Sequence, residues 1–309
     1  MKKWLFRITI AGFVLLNTSA AFHGYRFTHF ADTEEAKTQA NQLSFAEKLG
    51  VLFFGISNPR PVNQSLPQAD FQTDTIPSGE EQLETWEIRA DSAKGTVLLF
   101  HGYSGEKSSM LERAALIREL GYHTILVDFR GSGGSSGTTT TIGYRESQDV
   151  RAVVDELIAQ GREQIYLMGT SMGAAAILKA LSEDAAGVKG AIIECPFGSL
   201  LQTAKNRFER LGVPPFPAAH LLVFWGGIEN GFWGFSLEPA EYSKEVRVPT
   251  LLMYGELDGR VKRLETDEIY ANLAGEKDLL LFPQADHGNY LQVNEAKWVE
   301  GVSAFLEAR

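Results

Sequence analysis

The chain is poor in cysteine and in positive charge, and each shortage excludes a class of protein. One cysteine, Cys195, stands among 309 residues, so no disulfide can form within the chain. It ends an apolar run, which predicts a buried structural thiol rather than a nucleophile. The net charge at pH 7 is −10. An acidic body argues against nucleic-acid binding and against docking on an anionic membrane by charge.

The sequence also lacks an N-terminal apolar run long enough to span a bilayer comfortably. Three basic residues, the last of them Arg7, precede an apolar core of about nine residues at 8–16, whereas a spanning helix needs about 20. Small residues follow up to Ala21, which is typical of a secretory signal that is cleaved after Ala21. We expect residues 1–22 to be a signal peptide or an uncleaved membrane anchor. The rest of the chain is then exported, to an extracytoplasmic or periplasmic location.

Neither a metal-ligand cluster nor a cofactor loop is visible in the sequence. The segment 105–108 reads Gly-Glu-Lys-Ser and ends like a phosphate-binding loop, but the first glycine of that motif is missing. We therefore expect no metal and no cofactor.

Apolar patterning divides the remainder of the chain into an extension and an α/β domain. Residues 23–82 are turn-rich, with a short helix predicted at 44–49. Across 83–309, strand-like and helix-like runs alternate, which predicts an α/β fold with a doubly wound, mostly parallel sheet. Functional sites of such sheets lie at the carboxyl ends of the strands. The alternation stops at about 196–248, which predicts a helical lid inserted after a strand.

Aromatic residues are concentrated in this lid, where Phe224, Trp225, Phe232 and Trp233 alternate with glycines. One interpretation is an apolar wall that binds the acyl or aromatic group of a substrate. The other is that these rings form the small core of the lid itself. Both interpretations stay open at this point.

The motif Gly-x-Ser-x-Gly at 169–173 follows an apolar strand-like run and leads into an alanine-rich, helix-like run. This context is that of a nucleophile elbow, in which a sharp turn exposes the serine hydroxyl. Ser171 is therefore the candidate nucleophile. A second copy, at 133–137 around Ser135, leads into four threonines instead of a helix. We interpret that copy as a flexible loop.

An acid and a histidine should follow the nucleophile in that order. Asp258 comes after a strand-like run and is the candidate acid, with Glu256 as the weaker alternative. His287 comes after a later strand-like run and is the candidate base. The remaining histidines lie in less suitable positions.

A loop at 101–105 follows another apolar run and can supply the oxyanion hole. The backbone N–H groups of Tyr103 and Met172 are the expected pair of donors. His101 is expected to hold this loop in place rather than to act as a catalyst.

These motifs together make residues 83–309 resemble the α/β-hydrolase superfamily. The resemblance is carried by His101-Gly102, 128–133, 169–173, Gly255-x-x-Asp258-x-x-Val261 and Asp286-His287-Gly288. The segments 22–30 and 58–61 also resemble an exported or membrane-anchored bacterial subgroup whose substrates are largely unknown. The resemblance implies the α/β-hydrolase fold, a helical lid and a Ser-His-Asp triad.

The expected function is a serine hydrolase that cleaves an ester or a thioester, with lipid and other acyl substrates as candidates. A serine peptidase or amidase of the same fold is the alternative, and a non-catalytic binding protein is a third reading. The expected partner is a small-molecule or lipid-like ester, with membrane association through the N-terminal segment and no nucleic acid.

Overall fold

The computed structural model of the protein describes residues 2–31, 50 and 53–309. The chain divides into two units, one of Met1–Arg60 with Leu200–Leu237 and one of Pro61–Ser199 with Glu238–Arg309. The short helix predicted at 44–49 lies outside the described residues.

Strands make up the centre of the second unit. Over the described residues the strands are β1 (Phe30–Ala31), β2 (Asn58–Pro59), β3 (Phe71–Ser78), β4 (Glu81–Ile88), β5 (Thr96–Phe100), β6 (His123–Val127), β7 (Ile165–Thr170), β8 (Val188–Glu194), β9 (Thr250–Gly255) and β10 (Lys277–Phe282). β1 and β2 pair in parallel within the first unit. The others form one sheet in the order β10-β9-β8-β7-β5-β6-β4-β3. Only the pairs of β4 with β3 and β6 in this described sheet are antiparallel, which confirms the predicted mostly parallel sheet.

Helices follow most of the parallel strands. The α-helices of the described part are α1 (Lys2–Thr28), α2 (Leu111–Glu119), α3 (Glu146–Ala159), α4 (Met172–Glu183), α5 (Leu200–Arg210), α6 (Ala218–Glu229), α7 (Pro239–Tyr242), α8 (Arg263–Asn272) and α9 (Tyr290–Glu307). Short 3₁₀ turns occur at Lys107–Met110, Gly234–Ser236 and Ser243–Glu245.

The central strand β5 explains how the sheet is covered. Leu98 lies in a core cluster that includes Val153 of α3, whereas the next residue, Leu99, lies in a cluster that includes Trp298 of α9. Successive side chains of a strand point to opposite faces, so helices cover both faces of the sheet. This is why Thr96–Phe100 is apolar throughout instead of alternating. The sheet is therefore doubly wound, as predicted.

The edge strand β3 was not predicted from the sequence. It lies, with the first residues of β4, in the stretch 23–82 that the apolar pattern assigns to the extension. Most β3 side chains are exposed, so the strand carries no apolar alternation that a sequence pattern could register. Its structure comes from the antiparallel ladder with β4, which runs from Phe71 opposite Ile88 to Ser78 opposite Glu81.

In the first unit, α1 packs closely against α6 of the predicted lid. Ala20, Gly24 and Thr28 recur at every fourth residue on one side of α1 and are its buried residues. A Cβ atom on Gly24 would lie 2.9 Å from the backbone nitrogen of Gly226. The two helix backbones therefore approach as closely as small residues allow, and a larger side chain at position 24 would force them apart.

The other end of α1 is exposed, with Trp4, Phe6 and Phe13 each about two-thirds accessible. At 27 residues the helix extends well beyond the nine-residue apolar core seen in the sequence, and an 18-residue window has a mean hydropathy of 1.5. A helix of this length and composition can cross a membrane, and a signal sequence has the same properties. The N-terminal helix is thus compatible with either a signal peptide or an anchor.

Candidate active site

The nucleophile motif lies in the turn between β7 and α4, and its backbone is strained. Ser171 has φ 53° and ψ −107°, a region that residues other than glycine rarely occupy. A Cβ atom on Gly173 would collide with the carbonyl oxygen of Phe100, and one on Gly169 would lie 2.6 Å from the carbonyl carbon of Gly173. Both glycines are therefore required by close backbone approach, and the turn carries the serine hydroxyl at the carboxyl end of the sheet.

The structure brings the three candidate catalytic side chains into one hydrogen-bonded chain. His287 Nε2 lies 3.0 Å from Ser171 Oγ, and His287 Nδ1 lies 2.7 Å from Asp258 Oδ2. The other carboxylate oxygen of Asp258 accepts the backbone N–H groups of Arg260 at 2.7 Å and Val261 at 3.0 Å. The Asp258 side chain is fully buried and its orientation is fixed. In the neutral form of His287, Nδ1 therefore carries the proton and the Nε2 lone pair faces the serine hydroxyl.

The alternative acid lies elsewhere. The Glu256 side chain is about 40% exposed, and its carboxylate is 3.6 Å from Arg263 Nη1. It takes part in a surface ion pair, whereas Asp258 takes the position beside the imidazole.

The second Gly-x-Ser-x-Gly copy is a loop, as predicted, but its serine is buried. Ser135 Oγ donates to the carbonyl oxygen of Asp128 at 2.6 Å and accepts the backbone N–H of Glu84 at 2.9 Å. This hydroxyl therefore joins two backbone segments. Its bonds hold the loop more firmly than the glycine and threonine content suggested.

The loop predicted to supply the oxyanion hole passes directly over the nucleophile. A Cβ atom on Gly102 would lie 3.7 Å from Ser171 Cβ, and Tyr103 is the next residue. His101 is fully buried, and its Nε2 accepts the backbone N–H of Phe129 at 3.1 Å. Its Nδ1 therefore carries the proton and donates to the Gly102 carbonyl at 2.8 Å. His101 thus fastens this loop to the end of β6.

The electrostatics of His101 agree with this structural arrangement. Burial lowers the pKa of its imidazole, and the nearby Asp128 charge offsets only part of that effect. The ring is therefore neutral at pH 7.

The other predicted oxyanion donor, Met172, is the first residue of α4. Backbone N–H groups at the start of a helix have no partner within the helix.

The aromatic residues of the predicted lid belong to the first unit. The Phe224 ring contacts Trp225 and Trp233 edge-on, with centroids 5.3 and 6.2 Å apart. Trp225 Nε1 donates to Asn17 Oδ1 of α1 at 3.2 Å. Phe232 is buried, and Trp233 is 53% exposed. Phe224 thus contacts two of the other rings, and Trp225 contacts α1. The role of the four rings as a substrate wall stays a prediction.

Comparisons with known proteins find sequence and structural relatives of this chain. A family model described as "Serine aminopeptidase, S33" matches residues 91–221, a stretch that contains Ser171 but neither of its two partners. The uncharacterized protein YqkD of Bacillus subtilis (strain 168) is 24% identical over 255 residues, which cover 81% of this chain and 84% of that protein. The lysophosphatidylserine lipase ABHD12 of Mus musculus is 27% identical over 207 residues, which cover 60% of this chain and 48% of the lipase.

Among solved structures, the Pyrococcus furiosus esterase Pf2001 matches with a TM-score of 0.67 and 24% identity. The match covers 81% of this chain and 98% of the esterase. This chain has the α/β-hydrolase fold. The structural likeness shows the fold, and the family model and the sequence relatives support a hydrolase as the class of protein.

The imidazole of His287 has a raised pKa. Burial by itself lowers the pKa of His287, but Cys195 and the Asp258 carboxylate outweigh that effect and raise the pKa above the ordinary value of 6.5. Cys195 is fully buried, in agreement with the sequence. A Cβ atom on Gly288, the residue after His287, would lie 3.7 Å from Cys195 Sγ. Because an imidazole accepts a proton only when neutral, the fraction of His287 that is able to accept one increases as the pH rises through this raised pKa.

One buried ion pair was not predicted from the sequence. Glu194 and Arg113 form a buried ion pair of 2.8 Å beside the candidate site. The available signal was a carboxylate at the end of the otherwise apolar strand β8, because a buried carboxylate needs a partner. The sequence itself could not show that the partner is Arg113.

We expect Asp258→Asn to lower the rate of hydrolysis by about 10⁴-fold, because an amide in that place favours the wrong tautomer of the histidine. Glu256→Gln is the matched control and should retain the wild-type rate, since it changes only a surface ion pair. Steady-state kinetics of the two purified variants measure the difference. A greater loss in Glu256→Gln than in Asp258→Asn would reassign the acid.

Proposed function

We propose that this α/β-hydrolase is a serine hydrolase that cleaves carboxylic esters or thioesters of acyl or lipid-like substrates through an acyl-enzyme. The observation that carries the proposal is the continuous hydrogen-bonded chain from Ser171 through His287 to Asp258. Strained backbone at the serine and a buried, amide-bound carboxylate at the other end give this chain the order that nucleophilic catalysis requires.

In the proposed reaction, Ser171 Oγ attacks the substrate carbonyl carbon while His287 Nε2 takes the hydroxyl proton. Asp258 stabilises the imidazolium that forms. The backbone N–H groups of Tyr103 and Met172 are the proposed donors to the oxyanion. The intermediate then collapses, the C–O or C–S bond breaks, and His287 protonates the leaving group. Water, deprotonated by the same imidazole, attacks the carbonyl carbon of the acyl-enzyme. The bond from that carbon to Ser171 Oγ breaks, and the imidazolium of His287 returns the proton to Oγ, which releases the acid and the free serine.

A peptidase or amidase of the same fold is the second candidate, because the matching family model is described as a serine aminopeptidase. The two functions differ in the leaving group, which is an alkoxide or thiolate in one case and an amine in the other. Parallel assays of acyl esters, acyl thioesters and aminoacyl amides distinguish them.

Loss of the nucleophile is the direct test of the mechanism. Ser171→Ala should abolish both ester hydrolysis and labelling by a fluorophosphonate, since no other group in the proposal can form the covalent bond. Ser135→Ala is the matched control from the second motif. It should lose some stability with its two hydrogen bonds, and the folded protein should still be labelled. Unchanged turnover in Ser171→Ala would rule out the mechanism.

The lid aromatics are proposed to contact the acyl chain of the substrate. Trp233→Ala should then change the preference among esters of increasing chain length, by about fourfold for each buried methylene at about 0.8 kcal/mol. Turnover of the acetyl ester is the internal control and should be retained. Equal losses on all esters would instead indicate a structural role within the lid, and an unchanged preference would exclude the acyl wall at this residue.

We also propose that the hydrolase domain works outside the cytoplasm, with α1 as signal or anchor. The basic end followed by an apolar helix supports this orientation. The test uses a reporter enzyme that works only outside the cytoplasm, fused after Arg309. The fusion should show reporter activity, and removal of residues 1–21 should abolish it. The same reporter activity with and without this segment would contradict the proposal.

A further inference from the structure

A buried carboxylate lies directly behind the candidate nucleophile. Glu194 is the last residue of β8, beside β7, and is fully buried. Its Oε1 accepts Trp298 Nε1 at 2.7 Å. Its Oε2 accepts Arg113 Nε at 2.9 Å and the Thr170 hydroxyl at 3.0 Å. Both carboxylate oxygens are therefore hydrogen-bonded to side chains that come from three different elements.

Glu194 also holds the nucleophile turn (residues 169–173) through its backbone. The carbonyl oxygen of Glu194 accepts the N–H of Ser171 at 2.8 Å. Thr170, which binds the side chain of Glu194, is the residue immediately before the serine. One residue thus holds the nucleophile turn at two adjacent points.

Arg113 extends this arrangement to the histidine loop (residues 283–289). Its Nη2 lies 2.8 Å from Glu194 Oε2 and donates to the carbonyl oxygen of Gly288 at 2.8 Å. Gly288 directly follows His287 and has φ 77°. A Cβ atom there would lie 3.4 Å from Thr170 Cγ2. The histidine loop therefore lies against the nucleophile turn at the same place where the guanidinium joins the two.

The ion pair of Glu194 and Arg113 matters for the directions of its hydrogen bonds more than for the stability of the fold. Burying two charges costs desolvation free energy that their attraction roughly offsets, so an uncharged pair of similar shape can maintain the fold. An uncharged pair cannot, however, supply directed bonds to Thr170 and to the Gly288 carbonyl at once. The planar guanidinium, with several donors in a fixed arrangement, is suited to that function.

We propose that the ion pair of Glu194 and Arg113 is a positioning device that holds the nucleophile turn and the histidine loop in register for proton transfer. The inference rests on the proposed function, in which the proton moves across the 3.0 Å between Ser171 Oγ and His287 Nε2. Glu194 and Arg113 act through their neighbours and do not touch the reacting atoms. A displacement of about 1 Å at such a contact lowers the rate by about 10²-fold.

The decisive variant carries Arg113→Met and Glu194→Gln together. It removes both charges at once, so no unpaired charge remains buried, and glutamine can still bind Trp298 and Thr170. The control removes a second, less buried arginine–glutamate pair with Arg162→Met and Glu87→Gln. Arg162 Nη2 lies 2.7 Å from Glu87 Oε1. Arg162 comes just before β7, at the amino end of that strand, whereas the candidate site lies at its carboxyl end.

We expect the double variant to retain its thermal unfolding midpoint while kcat for 4-nitrophenyl acetate falls by about 10²-fold with little change in KM. The rate of fluorophosphonate labelling should fall in parallel, because the same proton transfer activates the serine. The acid limb of the pH profile of kcat/KM should move to lower pH. A displaced histidine loop loosens the contact between His287 and Asp258, so the carboxylate raises the pKa of the imidazole less. The control variant should keep the wild-type kcat and pH profile.

Two single variants decide the question if the double variant does not fold. Thr170→Val removes only the hydroxyl that binds Glu194 and keeps the side-chain shape. Arg113→Lys keeps the charge and loses the second bond, to Gly288. Each should lower kcat and the labelling rate without a matching change in KM, and Arg113→Lys should be less impaired than Arg113→Met where both fold.

Wild-type kcat, labelling rate and pH profile in the folded variants would overturn the positioning role and leave the proposed function intact. Absence of fluorophosphonate labelling at Ser171 in the wild type would instead overturn the proposed function, and the positioning role with it.

Discussion

The backbone of Ser171 is the constraint on which the arrangement of the candidate site depends. Its positive φ carries the chain from β7 into α4 within one residue, so the hydroxyl lies beyond the end of the sheet. That conformation persists only if the surroundings hold it. Here Gly173 lets α4 lie against the Phe100 carbonyl, and the Glu194 carbonyl binds the serine N–H. The loops that carry His287 and Asp258 then meet a serine hydroxyl whose position is already fixed.

Buried carboxylates make the surrounding loops rigid. Asp128 accepts the backbone N–H groups of Lys107 and Gly134, and it is fully buried. Glu146 is fully buried as well and accepts the N–H groups of Thr141 and Gly143. A buried charge is tolerated only when its hydrogen bonds are satisfied. Each such carboxylate therefore ties a loop at the carboxyl edge of the sheet to one backbone conformation.

The first unit joins the N-terminal helix to part of the predicted lid. Gly24 and Thr28 of α1 lie in the contact with α6 and follow the expected cleavage point after Ala21. Asn17, which binds the indole of Trp225, precedes that point. Cleavage would thus remove the polar contact and leave the close helix packing, whereas an uncleaved anchor keeps both. The form of the mature chain therefore bears directly on how the lid aromatics are held.

The sequence by itself determined the α/β class, the mostly parallel sheet and the candidates Ser171, Asp258 and His287. It could do so because buried parallel strands are apolar throughout and because their ends carry the polar residues in a fixed chain order. Tertiary structure decided which of two neighbouring acids lies beside the imidazole, where the exposed strand β3 pairs, and that Arg113 joins Glu194 to the histidine loop. Those features arise from contacts between residues far apart in the chain, which no local pattern of apolar and polar residues encodes.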